Sequence, residues 1–175
     1  MPNRDEVPAA SQSMLDAVEG RFGFVLNLFL LTASSPETLS AITGLAASLQ
    51  GALDARTRQR IALAVSEVDT CRYCLASHTA RGAALELSEE EIARNRAGHS
   101  DDPVADAAVH FATRVAEERG HVTDEDVGEV RRAGFDDAQI LEIIAVAVQY
   151  MFTNFINNVA LTILDFPEVE TAQLA

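Results

Sequence analysis

The chain has 175 residues, 48 % of them apolar, and a formal net charge of −14; its thirteen basic residues are all arginine. That length suits one domain, and the apolar fraction is ample for a core. A surface this acidic repels phosphate backbones and anionic lipid, so neither nucleic acid nor a membrane is expected as a partner, and the absence of lysine excludes Schiff-base chemistry.

A single domain is expected over residues 1–175, with its core at about 35–165 and residues 1–10 and 168–175 frayed. Met1 to Ala10 carries charge and two prolines but no apolar segment of the signal-peptide kind. Ser11 to Arg21 reads as a short helix with Met14, Leu15 and Val18 on one face. Phe22 to Leu31 is apolar almost all round, which predicts burial in the core or against another subunit, and it is too short to span a bilayer. Ser35-Pro36 is a helix start, with serine as cap and proline at the first helical position, and the helix runs to about Gln50.

Asp54 is the next cap, opening a helix from Ala55 to about Val68 with Ile61, Leu63, Ala64, Val65 and Val68 inward. Asp69-Thr70 is a break in which either residue would cap a helix ended by Gly82. Ser88 and Glu91 form a capping box for a short helix ending near Gly98. Asp102-Pro103 starts a further helix and Gly120 stops it; Thr123 caps another that ends at Gly134. Asp136 and Gln139 form a second capping box, opening the long last helix. Ile140 to Leu164 approaches spanning length, but Glu142, Gln149, Asn154, Asn157 and Asn158 favour a buried or subunit-facing helix. No stretch alternates with period two between hairpin turns, so the fold class is all-α, with about eight helices. Ile61-Ala-Leu-Ala-Val65 echoes Ile144-Ala-Val-Ala-Val148, and the same offset sets Thr70–Cys74 against Thr153–Asn157; chance similarity of two alanine-valine helices is the simpler explanation.

The chemistry concentrates in Val65 to Arg81, which holds both cysteines of the chain as Cys71-x-x-Cys74, with Glu67 four residues before and His78 four residues after. If a helix begins near Cys71, then Cys71, Cys74 and His78 share a face, and the first turn offers free N–H groups and the positive end of the macrodipole. Both favour the thiolate, the reactive form. Structural zinc wants four protein ligands; there is no third cysteine, and His78 with His99, His110 or His121 lacks paired spacing. Two buried filler cysteines are the other bland reading. A thioredoxin-like frame would place the pair after a strand, whereas the preceding segment is helical. No metal and no cofactor is expected.

At these residues the sequence resembles the AhpD-like alkylhydroperoxidases of the carboxymuconolactone decarboxylase superfamily. The resemblance runs through Ile61 to His78, the lead-in Leu53–Arg58, the later Phe152–Asn158 and the Asp165-Phe166-Pro167 ending. It implies an all-α fold assembled as homo-oligomers, often trimers or hexamers, that reduces organic hydroperoxides through a dithiol/disulfide cycle. It implies that Cys74 is the thiol attacked by peroxide, that Cys71 supplies a proton and resolves the sulfenic acid, and that His78 belongs to a proton relay. Where the family carries its relay glutamate this chain has Gln59, with Glu67 as the nearest acidic substitute, and Asn158 stands where a histidine is frequent. The lyase branch that names the superfamily typically lacks the dithiol.

From spacing alone, His78 is nearer Cys74 than Cys71 and suits a base for its thiol. Cβ atoms three residues apart on a regular helix lie about 5–6 Å apart, against about 3.5–4.5 Å in a disulfide, so closing one would strain the first turn and ease its reduction. The function expected is therefore a cytoplasmic, antioxidant thiol peroxidase with an organic hydroperoxide as substrate and a dithiol or thioredoxin-like protein as reductant. The alternatives are a thiol–disulfide exchange or redox-sensing protein, and a non-catalytic oligomeric binding protein.

Overall fold

Caps set most of the helix boundaries. The computed structural model describes residues 1–172; among these a single 3-10 turn (Arg4–Glu6) precedes nine α-helices and there is no strand. They are α1 (Ala9–Phe22), α2 (Asn27–Thr32), α3 (Pro36–Ser48), α4 (Ala55–Val68), α5 (Arg72–Ala84), α6 (Glu89–Arg96), α7 (Pro103–Glu117), α8 (Asp124–Arg132) and α9 (Asp137–Ala160). The Ser35, Asp54, Asp102, Thr123 and Asp136 side chains each accept from the first-turn backbone of the helix they open, as expected. Each such cap is worth on the order of 1 kcal/mol.

Three local expectations are corrected. Neither Asp69 nor Thr70 caps α5; the cap is Cys71 itself. Gly82 does not end α5, which continues to Ala84; a Cβ there would meet the Ile92 and Leu87 side chains, so the glycine permits close packing with α6. Ser88 caps α6, but Glu91 does not reach back to complete a box, because its carboxylate is drawn to Arg60, Ser100 and Asp101.

α4 is the central rod, packed by α5, α6, α7 and α9. Its run Ile61–Ser66 is fully buried all round, which is why it reads as an apolar run rather than as a one-sided stripe. Ile61 and Val65 join Phe111 and Val115 of α7 and Ile143 and Val146 of α9 in the main core. A smaller core of Val7, Leu15, Ala33 and Leu39 ties α1 to α3. Phe22–Leu31, expected to be buried throughout, turns at Gly23 and leaves Phe24 exposed.

The two ends expected to fray are built differently from each other. At the start, Arg4 pairs with Asp16 and Glu19 and Val7 is buried. At the end, Glu168 pairs with Arg72, Arg96 donates to the Glu170 carbonyl, and the Ala172 N–H donates to Glu67 at 2.6 Å; residues 173–175 lie outside the described residues. The sequence echo does not extend into structure: Thr70–Cys74 spans the break between α4 and α5, while Thr153–Asn157 lies inside α9. α9 is long and apolar enough to cross a membrane by length and composition. One of its faces is exposed, with Leu141, Val148, Phe152, Phe155 and Val159 spaced as in a helix-pairing seam.

Candidate active site

Cys71 belongs to two helices at once. Past the end of α4, Thr70 takes a left-handed φ of 50°, the Thr70 N–H bonds the Glu67 carbonyl at 3.0 Å, and the Cys71 N–H bonds the Ser66 carbonyl at 2.9 Å. This pair of bonds is a Schellman closure, with a threonine in the position glycine usually holds. Cys71 is then extended (φ −87°, ψ 95°) and its Sγ accepts the Cys74 N–H at 3.4 Å as cap of α5. It stands outside the regular ladder, so the strain expected for a disulfide across one helical turn does not apply in that form.

Both cysteines are free and buried. A hydrogen bond from the Cys74 thiol, aided by the Cys74 and Tyr73 N–H groups, holds the Cys71 thiol below its usual range against the effect of burial. Burial, and then the neighbouring Cys71, push the Cys74 thiol well up; Asn157 Nδ2, donating to Cys74 Sγ at 3.2 Å, works the other way. Asp69 is the carboxylate whose charge reaches both sulfurs, and burial raises its own pKa while Asn154 opposes this at 2.8 Å.

Cys74 and His78 line one cavity of about 120 Å³, with Leu26, Leu28, Phe29 and Tyr150 among its apolar walls. The Tyr73 hydroxyl accepts from the Leu28 N–H and donates to Asp165, which also caps the first turn of α2 through the Asn27 N–H at 2.9 Å. That clamp seats α2 against the sulfurs: Leu28, Cys71, Tyr73 and Cys74 form one buried cluster.

His78 is held differently from the expectation. Gln59 Nε2 donates to the His78 carbonyl at 2.6 Å and lies 3.1 Å from His78 Nδ1. The carbonyl fixes the amide's orientation, since turning its oxygen there would set two acceptors face to face; the amide nitrogen has only protons to give, so Nδ1 is the acceptor. The imidazole therefore carries its proton on Nε2. Burial, with Arg81 nearby, pulls its pKa down to about 3, so the ring is neutral at physiological pH. It meets the Tyr150 ring edge to face at 5.1 Å between centroids. Among the described residues no hydrogen bond joins His78 to either sulfur.

Glu67 is not brought to this cavity. Its two oxygens are taken by Arg96 Nε at 2.7 Å and by the Ala172 N–H. The structure thus sets Cys71 as the cap of α5, Cys74 in its first turn and His78 at its middle, and turns Glu67 toward α6 and the tail. Sequence reading missed Asn157 as a partner of Cys74, having placed it only among the polar residues of the last helix, in the stretch that carries the resemblance and in the α4–α9 echo, and it missed Asp69 as a neighbour of the sulfurs. It also missed Arg21, Arg58 and Arg81, which line the cavity from three helices.

Residues 36–118, from the start of α3 to just past the end of α7, match the carboxymuconolactone decarboxylase family. No curated protein matches the chain. Among solved structures, the AhpD core of an uncharacterized peroxidase-related protein from Ralstonia eutropha JMP134 is 25 % identical; the match covers 90 % of this chain and 86 % of that one, with a TM-score of 0.79. A peroxidase-related protein from Silicibacter sp. TM1040 is 23 % identical over 93 % and 88 % of the two chains, TM-score 0.78. The debrominase Bmp8 shares the fold at 20 % identity, over 94 % and 90 %, also with a TM-score of 0.78.

Proposed function

With residues 36–118 matching the carboxymuconolactone decarboxylase family and 90 % of the chain matching an AhpD-core structure, we propose that this protein is a thiol-dependent peroxidase that reduces organic hydroperoxides through Cys74 and Cys71. The observation that carries the reading is the division of labour between the sulfurs. Cys71 sits at a helix N-terminus as the better thiolate, and Cys74 lines the cavity.

The Cys74 proton passes to the Cys71 thiolate as Cys74 attacks the terminal peroxide oxygen. The O–O bond breaks, a C74–S–OH group forms, and the alkoxide takes the proton back from Cys71 to leave as the alcohol. Cys71 then attacks the Cys74 sulfur, hydroxide departs, and the disulfide forms. An external dithiol or thioredoxin-like protein returns both sulfurs to the reduced state by exchange. His78 does not act as the base in this scheme, because Nδ1 is occupied by Gln59; its Nε2–H is a donor to oxygen. Glu67 takes no part in the proton relay and serves to anchor the tail. A cytoplasmic setting, where dithiols are kept reduced, suits the cycle. The exposed seam on α9 supports self-association as the way that face is covered.

The test is steady-state consumption of tert-butyl hydroperoxide with a dithiol donor. Wild type should turn over and Cys71→Ser should stop at a Cys74 sulfenic acid that dimedone traps. Retained turnover in both single cysteine variants would remove the dithiol cycle. Oxidation of the pair by a disulfide donor, with no peroxide consumed, would favour the thiol-exchange alternative.

A further inference from the structure

The cavity runs against the charge of the rest of the molecule. In a chain with 27 acidic and 13 basic residues, three arginines, Arg21, Arg58 and Arg81, line it, and among the described residues no carboxylate does. Elsewhere most arginines are matched: Arg4, Arg60, Arg72, Arg94, Arg96, Arg114, Arg131 and Arg132 make ion pairs, while Arg56 donates to the Glu86 carbonyl and Arg119 has no ion pair among the described residues. The three at the cavity make none among the described residues.

Their positions are fixed. Arg58 Nη1 donates to the carbonyls of Leu49, at 3.0 Å, and Gln50 at the end of α3. Arg21 and Arg81 place their guanidinium carbons 5.4 and 5.3 Å from the centroid of one ring, that of Phe22. Stacking on an aromatic leaves the in-plane N–H groups of a guanidinium available. Arg81 has no carboxylate or carbonyl partner among the described residues, and burial, together with the charges of Arg21 and Arg58, draws it below its usual range. Like charges gathered in a partly desolvated space are costly until an anion joins them. Leu26, Leu28, Phe29 and Ile42 supply apolar wall, Ser77, Gln149 and Thr153 supply polar wall, and Cys74 lines the same cavity.

Building on the peroxidase reading, we propose that the substrate of this cavity is a small organic acid: a hydroperoxide on a short aliphatic carboxylic acid, its carboxylate held by Arg81 with Arg58 and Arg21, its alkyl part among Leu28, Phe29 and Ile42, and its peroxide at Cys74. The His78 Nε2–H is then a second, neutral donor to the oxygens at the reacting end. The carboxylate supplies the partner that Arg81 lacks, and the small volume limits the alkyl part to a few carbons.

The experiment compares 3-hydroperoxy-3-methylbutanoate with its methyl ester, which has the same peroxide and no charge. The acid should show kcat/KM at least tenfold above the ester, and raised ionic strength should narrow the gap. In Arg81→Gln the acid-to-ester ratio should fall toward one, whatever the absolute rates; Arg58→Gln serves as the second variant if circular dichroism shows Arg81→Gln misfolded. Calorimetric binding of 3-hydroxy-3-methylbutanoate, against its amide, reads the same site without turnover, and only the acid should bind. Equal rates for acid and ester with no binding of the hydroxy acid overturn the acid site and leave the peroxidase reading intact. Selective binding of the hydroxy acid without turnover of either peroxide sustains the acid site and overturns the peroxidase reading. A wild-type ratio that survives in both arginine variants overturns the assignment to these residues.

Discussion

Arg58 and Arg60 stand two residues apart on α4 and therefore look out on opposite sides of it. Arg60 meets Glu91 at 2.8 Å where both carboxylate oxygens are occupied: the carboxylate, only 6 % exposed, also accepts from Asn95, Ser100 and the Asp101 N–H. Burial alone would raise the Glu91 pKa, but Ser100, Asp101, Asn95 and Arg60 outweigh it and hold it at about 2. Arg58 faces the cavity, where Arg81 finds no counter-charge and the Cys74 sulfur and the imidazole are buried with incomplete sets of partners. A buried charge with every partner in place holds the structure together. One with a partner missing is where a ligand belongs.

Cys74→Ser gives the largest effect: peroxide consumption should fall by at least about 1,000-fold, with the thermal midpoint little changed. A large loss of stability with retained turnover would reverse the contrast between the two sides of α4. Glu91→Ala is its mirror. It leaves Arg60 unpaired and should cost roughly 3 kcal/mol of stability in denaturant melts, with Cys74 alkylation by iodoacetamide unaffected.

Both sides of α4 contribute to a pH dependence. Glu91 drops from 4.5 to about 2 on folding, so its contribution is full above pH 4.5 and is lost as pH falls toward 2. His78, drawn from 6.5 to about 3, binds a proton in the unfolded chain first, so it too removes stability as pH falls below 6.5. Glu91→Gln should flatten the lower part of that acid-unfolding curve; a curve identical to wild type would show that Glu91 is not the group titrating.

Two smaller changes sharpen the sulfur side. Gln59→Glu replaces a proton donor at His78 Nδ1 by an acceptor, moves the ring proton to Nδ1 and frees Nε2 as a base, and should speed Cys74 alkylation at pH 7 by about tenfold. No change there would contradict the tautomer assigned from the Gln59 geometry. Asn157→Leu removes the Nδ2 donor to Cys74 Sγ and should slow alkylation about threefold by raising the thiol pKa further.

Helix boundaries marked by a serine, threonine or aspartate cap were legible in the sequence because each cap acts on its own first turn. The dithiol was legible for the same reason, being confined to one turn of chain. The end of α5 was not, because Gly82 is there for the side chains of Leu87 and Ile92 and not for a left-handed turn. Nor could sequence tell Arg58 from Arg60, or show that Gln59 would reach nineteen residues along the chain to the His78 ring. Arg21, Arg58 and Arg81 come from α1, α4 and α5, with no shared local pattern to announce them. Glu67 was four residues from Cys71 in sequence, yet the turn at Asp69-Thr70 parts them and leaves Glu67 to Arg96.

Cys71 closes α4 through its N–H and opens α5 through its sulfur. Oxidation state is thereby written into the main chain. Once that sulfur is shared in a disulfide, the Cys74 amide gives up part of its acceptor, and the joint between the two helices loosens at the same stroke. Solvent hydrogen exchange at the amides of residues 70–75 would then keep time with the redox cycle, letting the backbone report each turnover without any label on the sulfurs.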